Sequence, residues 1–159
     1  MIRRCASFWA NTQNFLRLIQ GVLGWRGTEQ KGRNVLAGID ESRAFVSINI
    51  AVLTVSDTRT QLNDTSGDIL AARIVQKGHH VIDRKILPDD QDGLVAQLDA
   101  WCDAPDVDVI ITTGGTGVTG RDVTVEAHRR LYEKEIPGFG ELFRWLSFKT
   151  IGTSTVQSR

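Results

Sequence analysis

Three apolar runs separated by amphipathic stretches limit what this chain can become. INIAVLTVS (Ile48–Ser56) is an almost unbroken β-branched and aliphatic run, which reads as a strand covered on both faces. HHVIDRKIL (His79–Leu87) reads as a second, more polar strand ended by Pro88, and VDVIITT (Val107–Thr113) as a third. After the first run, the polar loop SDTRTQLNDTSG leads into a helix that Asp64 can cap and Gly78 can close. Its apolar stripe is Ile69, Leu70, Ile74 and Val75. After the second, DDQDGLVAQLDAWCD predicts a helix acidic in its first turn, with Leu94, Val95, Leu98 and Trp101 inward. Two more helical stretches, 123–131 and 139–151, are divided by Pro137-Gly138, and the last carries Phe143, Trp145, Leu146 and Phe148. Trp101 and Trp145, at apolar helix positions, read as core. Such alternation predicts an α/β fold: a parallel sheet with right-handed crossovers and helices on both faces. Ligands in these sheets bind beyond the carboxyl ends of the strands. Three loops therefore matter: Ser56–Asp64, Pro88-Asp89-Asp90 and Gly114–Asp122. All three carry carboxylates.

The third loop is the most informative. In TTGGTGVTGRD, four glycines (114, 115, 117 and 120) fall within seven positions. The match to GxGxxG is weak evidence for a dinucleotide site, because that fingerprint belongs on the first strand–helix turn and needs an acid at the end of a second strand. Glu133 and Glu135 lie instead in helical surroundings. A Walker loop needs Lys-Ser or Lys-Thr after the last glycine, where this chain has Arg121-Asp122. One or two glycines would serve a tight turn. Four of them, with Thr113 and Thr116 as hydroxyl donors, point to a nest of backbone N–H groups for an anion at a helix N-terminus.

Carboxylates beside a phosphate make sense chiefly as magnesium ligands, because that ion takes few carboxylates and completes its shell with water and phosphate oxygens. Asp89 and Asp122 are the candidates, although Asp89 also suits an ordinary turn and Asp122 a helix cap. His79 and His80 alternate across a strand and cannot share a metal, and His128 stands alone on its helix. No Ser/His/Asp or Cys/His constellation emerges.

Composition excludes further classes. Basic and acidic residues number 19 each, so the overall charge predicts no nucleic-acid partner. Six basic residues and one acid precede Asp40, leaving the remainder at about −5. Phe8, Phe15, Ile19 and Leu23 recur among those early arginines at roughly helical spacing. That pattern suits a presequence, a membrane-surface helix or a non-native leader from a start placed too far upstream. The linker-like GWRGTEQKGRN beside it favours the last, so residues 1–39 are set apart from the fold. Cys5 and Cys102 form no CxxC pair, which predicts no disulfide framework or zinc site and a cytoplasmic protein. No run approaches a membrane span, and no membrane partner is expected.

AVLTVSDTR, ILPDD, IITTGGTGVTGRDVT, EIPGFGELFR and GTSTVQSR, in that order and spacing, resemble the molybdenum cofactor biosynthesis protein B and molybdopterin adenylyltransferase family across residues 40–159. The resemblance implies a three-layer α/β/α sandwich, assembly as a homotrimer or homohexamer, and binding of a phosphorylated pterin, molybdopterin, at the strand ends. It implies a reaction in which molybdopterin's phosphate attacks the α-phosphate of ATP with Mg²⁺ present, although some members bind without catalysing. The family's catalytic acids match Asp89 and Asp122. Its phosphate- and pterin-contacting loop matches Thr113, Gly114, Gly115, Thr116 and Gly117, and the loop after the first strand matches Ser56 and Asp57. The family continues past STVQSR with another strand, a Pro-Gly-rich loop and a closing helix. On that pattern the 40–159 domain is incomplete at its C-terminus, its sheet short of the usual four to six strands, and an inactive fragment is a further expectation.

Overall fold

A computed structural model describes residues 44–159; the expected leader at 1–39 lies outside them. The strands are β1 (Asn49–Val55), β2 (His80–Leu87) and β3 (Val109–Thr113). The helices are α1 (Thr65–Gln76), α2 (Gln91–Asp103), α3 (Thr124–Arg129) and α4 (Pro137–Ile151), with a 3₁₀ stretch at Gly152–Gln157. Both strand pairings are parallel and the order is β2-β1-β3, so β1 is central. Every residue of β1 after Asn49 is buried, as its continuous apolar run requires. The β1–β2 register slips between Ile50 and Ala51, passing over Ile82, which turns partly to solvent.

Alternation along β1 builds two cores. Ala51, Leu53 and Val55 face Leu94, Leu98 and Trp101 of α2 and Ala127 of α3. Ile50 and Val52, with Ile48, face Ile74 of α1, with Leu70, Val81, Val109 and Ile111 packed around them. Helices thus cover both faces, giving three layers. Asp64 caps α1 through Gly67 N–H (3.0 Å), and Asp90 caps α2 through Gly93 N–H (2.8 Å). Gly78, at φ 81°, follows α1 as its closing glycine. Trp101 is buried as expected, its indole N–H donating to Asp83 Oδ2 (2.9 Å).

Trp145 is not core. It is 57% exposed, and α4 has no fully buried residue. Phe139, Leu142, Trp145, Phe148 and Ile151 recur every third residue and all lie partly open. On an α-helix that spacing winds around the axis rather than lining one face, and of the residues read from the sequence Trp145 and Phe148 belong to it, with Lys149 Nζ lying over the Trp145 ring, 4.3 Å from its centroid. The third strand begins at Val109, two residues later than the apolar run: Val107 N–H bonds back to Ala104 O, while Asp108 already reaches β1, its N–H donating to Asn49 O (3.0 Å). None of the helices is long and apolar enough to cross a membrane among the described residues.

Candidate functional site

All three loops meet at the carboxyl end of the sheet, because parallel strands deliver their C-terminal ends to one side. β1 runs into Ser56-Asp57, β2 into Pro88-Asp89-Asp90, and β3 into the glycine loop. One side chain joins them. Asp57 Oδ1 accepts the backbone N–H of Asp89 (3.1 Å), and Asp57 Oδ2 accepts Nη2 of Arg121 (2.5 Å). Ser56 bonds backbone to backbone with Leu87 O (2.8 Å), while its hydroxyl accepts the N–H groups of Thr58 and Arg59 (3.3 and 3.2 Å).

The glycine turn after Thr113 is needed for close approach. Gly114 and Gly115 have φ of 92° and 59°, where a side chain is strained. A Cβ at Gly115 would also overlap Thr124 Oγ1 and Asp89 Oδ1. The turn is laced to α3, since Thr124 Oγ1 donates to Gly114 O (3.0 Å) and Thr124 N–H to Gly115 O (3.2 Å).

His128, expected to stand alone, lies under this lacing. Its Nδ1 meets Thr124 O (2.8 Å) and its Nε2 meets Thr112 Oγ1 (3.0 Å). A carbonyl can only accept, so Nδ1 carries the proton and Nε2 accepts from the threonine hydroxyl. Burial lowers the His128 pKa and keeps it in that neutral form, with the Thr124 carbonyl opposing.

The two candidate acids sit in different environments. Asp89 is the desolvated one: burial raises its pKa, the charges of Asp57 and Asp122 add to the rise, and Arg121 and the Val123 backbone N–H oppose it. Its Oδ1 is buried with no hydrogen-bond partner. The Asp122 carboxylate is turned into its own loop, accepting Thr119 Oγ–H (2.5 Å) and Thr119 N–H (3.1 Å). These bonds, the hydroxyl foremost, hold its pKa below the usual range, with help from the Gly117 N–H and the Arg159 charge.

That arrangement changes the expected anion nest. Two of the loop's amide donors, Gly117 and Thr119, are taken by Asp122, and the following helix is only six residues long, too short for much of a dipole. The Asp122 carboxylate organises the loop rather than capping α3, whose N-cap Val123 has no side-chain bond. Sequence reasoning missed two arginines here. Arg121 pairs with Asp57, and Arg159 donates to Gly117 O (2.8 Å) while pairing with Glu126. Both sit in quoted motifs, but which carboxylate each reaches depends on the fold.

The family model described as a probable molybdopterin binding domain matches residues 51–159. The molybdenum cofactor biosynthesis protein B of Escherichia coli (strain K12) is 47% identical over 118 residues, covering 74% of this chain and 69% of that protein. A crystal structure of a molybdenum cofactor biosynthesis protein B is similar at a TM-score of 0.70 and 43% identity, covering 74% of this chain and 73% of that one. The tungsten cofactor synthesizing protein MoaB from Pyrococcus furiosus gives a TM-score of 0.60 at 37% identity, covering 73% and 72%.

Proposed function

The chain belongs to the molybdopterin-binding-domain family of molybdenum cofactor biosynthesis proteins, and from that premise we propose that it binds molybdopterin at the carboxyl ends of β1–β3 and joins it to AMP from ATP. The chemistry balances without an oxidant. A phosphate oxygen of molybdopterin attacks the α-phosphorus of ATP, the bond to the oxygen bridging to the β-phosphorus breaks, and pyrophosphate leaves.

The observation that carries this reading is Asp89 Oδ1, a buried carboxylate oxygen with no partner, facing the glycine turn. A buried acceptor without a donor is costly, and a ligand that supplies positive charge would satisfy it. The described residues gather no cluster of three or more potential metal-ligating side chains. Asp89 offers the open oxygen, with Asp122 near enough for its charge to raise the Asp89 pKa, and magnesium needs few carboxylates when water and phosphates complete its shell. Bound there, the ion would offset the charge of the phosphates. The protein's own part is to orient. The Gly114-Gly115 turn leaves room for a phosphate beside Asp89, Asp122 keeps the loop's shape, and Ser56 and Asp57 fix the first wall. Thr113, Thr116 and Gly117 complete the substrate loop in this reading.

A cytoplasmic setting suits a sequence whose two cysteines form no CxxC pair, and the exposed apolar side chains of α4, Leu142, Trp145 and Phe148, support assembly into a homotrimer or homohexamer. A binding-only role has one observation in its favour: Asp122 is already engaged within its loop, leaving a single acid with an open oxygen. Pyrophosphate release from ATP plus molybdopterin separates the two. Molybdopterin-dependent release that Asp89→Asn abolishes is expected, whereas ligand binding without release would leave a binding subunit.

A further inference from the structure

A phosphate site built from Asp57, Asp89 and Asp122 has too much negative charge for its ligand. A cation with donors to spare has to compensate. Arg159 is already engaged by Glu126 and Gly117 O, and Arg59 Nη1 is turned back onto Asn63 O (2.8 Å). Arg121 differs. Its side chain is 83% exposed, yet one Nη is fixed by Asp57 at 2.5 Å. A guanidinium has five donors in a rigid fork, so the rest face solvent at the mouth of the glycine loop. The pair spans 64 residues of sequence, joining the β1 and β3 loops, and the same carboxylate holds the Asp89 N–H from the β2 loop. An ordinary exposed ion pair would contribute little. This one orients a phosphate-matching fork in advance, which lowers the ordering cost of binding.

We propose that Arg121 receives the substrate's phosphate and that Asp57 is its positioning residue, not itself a substrate contact. This rests on the molybdopterin-binding reading above and names the group that would select for the phosphorylated pterin. Asp57 is acidic and repels an anion directly; its contribution passes through the arginine it holds.

The test is calorimetric titration of the full chain with molybdopterin and with the same pterin after enzymatic removal of its phosphate. Arg121→Gln should weaken molybdopterin binding by about 10- to 100-fold, as loss of a charged hydrogen bond does, and leave the dephosphorylated pterin unchanged. Arg121→Lys should recover part of the loss. Asp57→Asn should weaken phosphate-dependent binding less, and combining it with Arg121→Gln should cost no more than Arg121→Gln alone. Arg121 is exposed enough for its variants to keep the fold. Wild-type-like affinity in Arg121→Gln overturns the proposal, and additive losses in the double variant overturn the positioning role. If the unaltered chain binds neither pterin, the molybdopterin-binding reading itself fails, and this inference with it.

Discussion

Asp89 holds charge where the fold would rather have none. Its pKa lies above the usual carboxylate value, chiefly through burial and then through Asp57 and Asp122. The ionised form is therefore disfavoured by folding, so stability falls as pH rises above the ordinary value of 3.8. Asp89→Asn should accordingly raise the melting temperature at pH 7 by about 1–3 °C, and the gain should shrink towards pH 4 as the aspartate protonates. A variant less stable than the parent at pH 7 would contradict this. Gly115→Val should act the other way, costing about 1–3 kcal/mol because φ is positive and the side chain meets Thr124 and Asp89. Denaturant melts read that loss directly, and an unchanged midpoint would remove the close-approach argument. At this scale the sequence was only half legible. Asp89 and the glycines were recognisable from their place at strand ends. That Asp122 folds into its loop, that Asp57 takes Arg121, and that His128 spans Thr112 and Thr124 follow from contacts between loops, which no local pattern encodes.

At the scale of elements, periodicity placed each strand and helix to within a few residues, because burial alternates along a strand and recurs along a helix. It could not say what lay opposite. Trp101 shares a stripe with Leu94 and Leu98 and meets β1. Trp145, at an equally apolar helix position, stays largely exposed with Lys149 over its ring. The cap of α1 shows the same limit. Asp64 was readable as an N-cap, but it is 1% exposed and also accepts Thr54 Oγ–H (2.8 Å) and Arg84 Nη2 (2.7 Å), while Arg84 Nη1 reaches Asp68 (2.6 Å). Burial alone would raise the Asp64 pKa, but Arg84, Gly67 and Thr54 together lower it. Removing the cation leaves a buried charge uncompensated, so Arg84→Ala should cost about 3 kcal/mol. Chemical denaturation measures it, and a loss below about 1 kcal/mol would mean that water replaces the guanidinium.

For the whole molecule, two histidines make stability depend on pH just below neutrality. His79 is buried, its Nδ1 accepting Ile48 N–H (3.3 Å). Its pKa is lowered by burial and then by neighbouring His80, as that of His128 is by burial. Both folded values lie below the ordinary 6.5, so the unfolded chain binds more protons in that window. Stability is present in full above about pH 6.5 and is lost as pH falls from there towards the folded values. The melting temperature should be level well above pH 6.5 and fall as pH drops below it, and a flat profile would show that neither ring resists protonation. The exposed apolar residues of α4 also act at this scale. Trp145→Lys with Phe148→Lys should lower the average mass seen by light scattering as concentration rises, because it replaces exposed apolar side chains with charges; an unchanged mass would place self-association elsewhere.

The strand order has a consequence for the chain as it is made. β1 is central in space but first of the three in sequence. Its neighbours in the sheet, starting at His80 and Val109, are synthesised later. At about 5–20 residues per second, the ribosome releases NIAVLTV seconds before either partner exists. During that interval both of its edges lack their partners and are open to pairing with another chain. The charged and polar run from Asp57 to Asp68 that follows at once is placed to discourage such pairing. The loop that shapes the site would thus also act as a gatekeeper during synthesis.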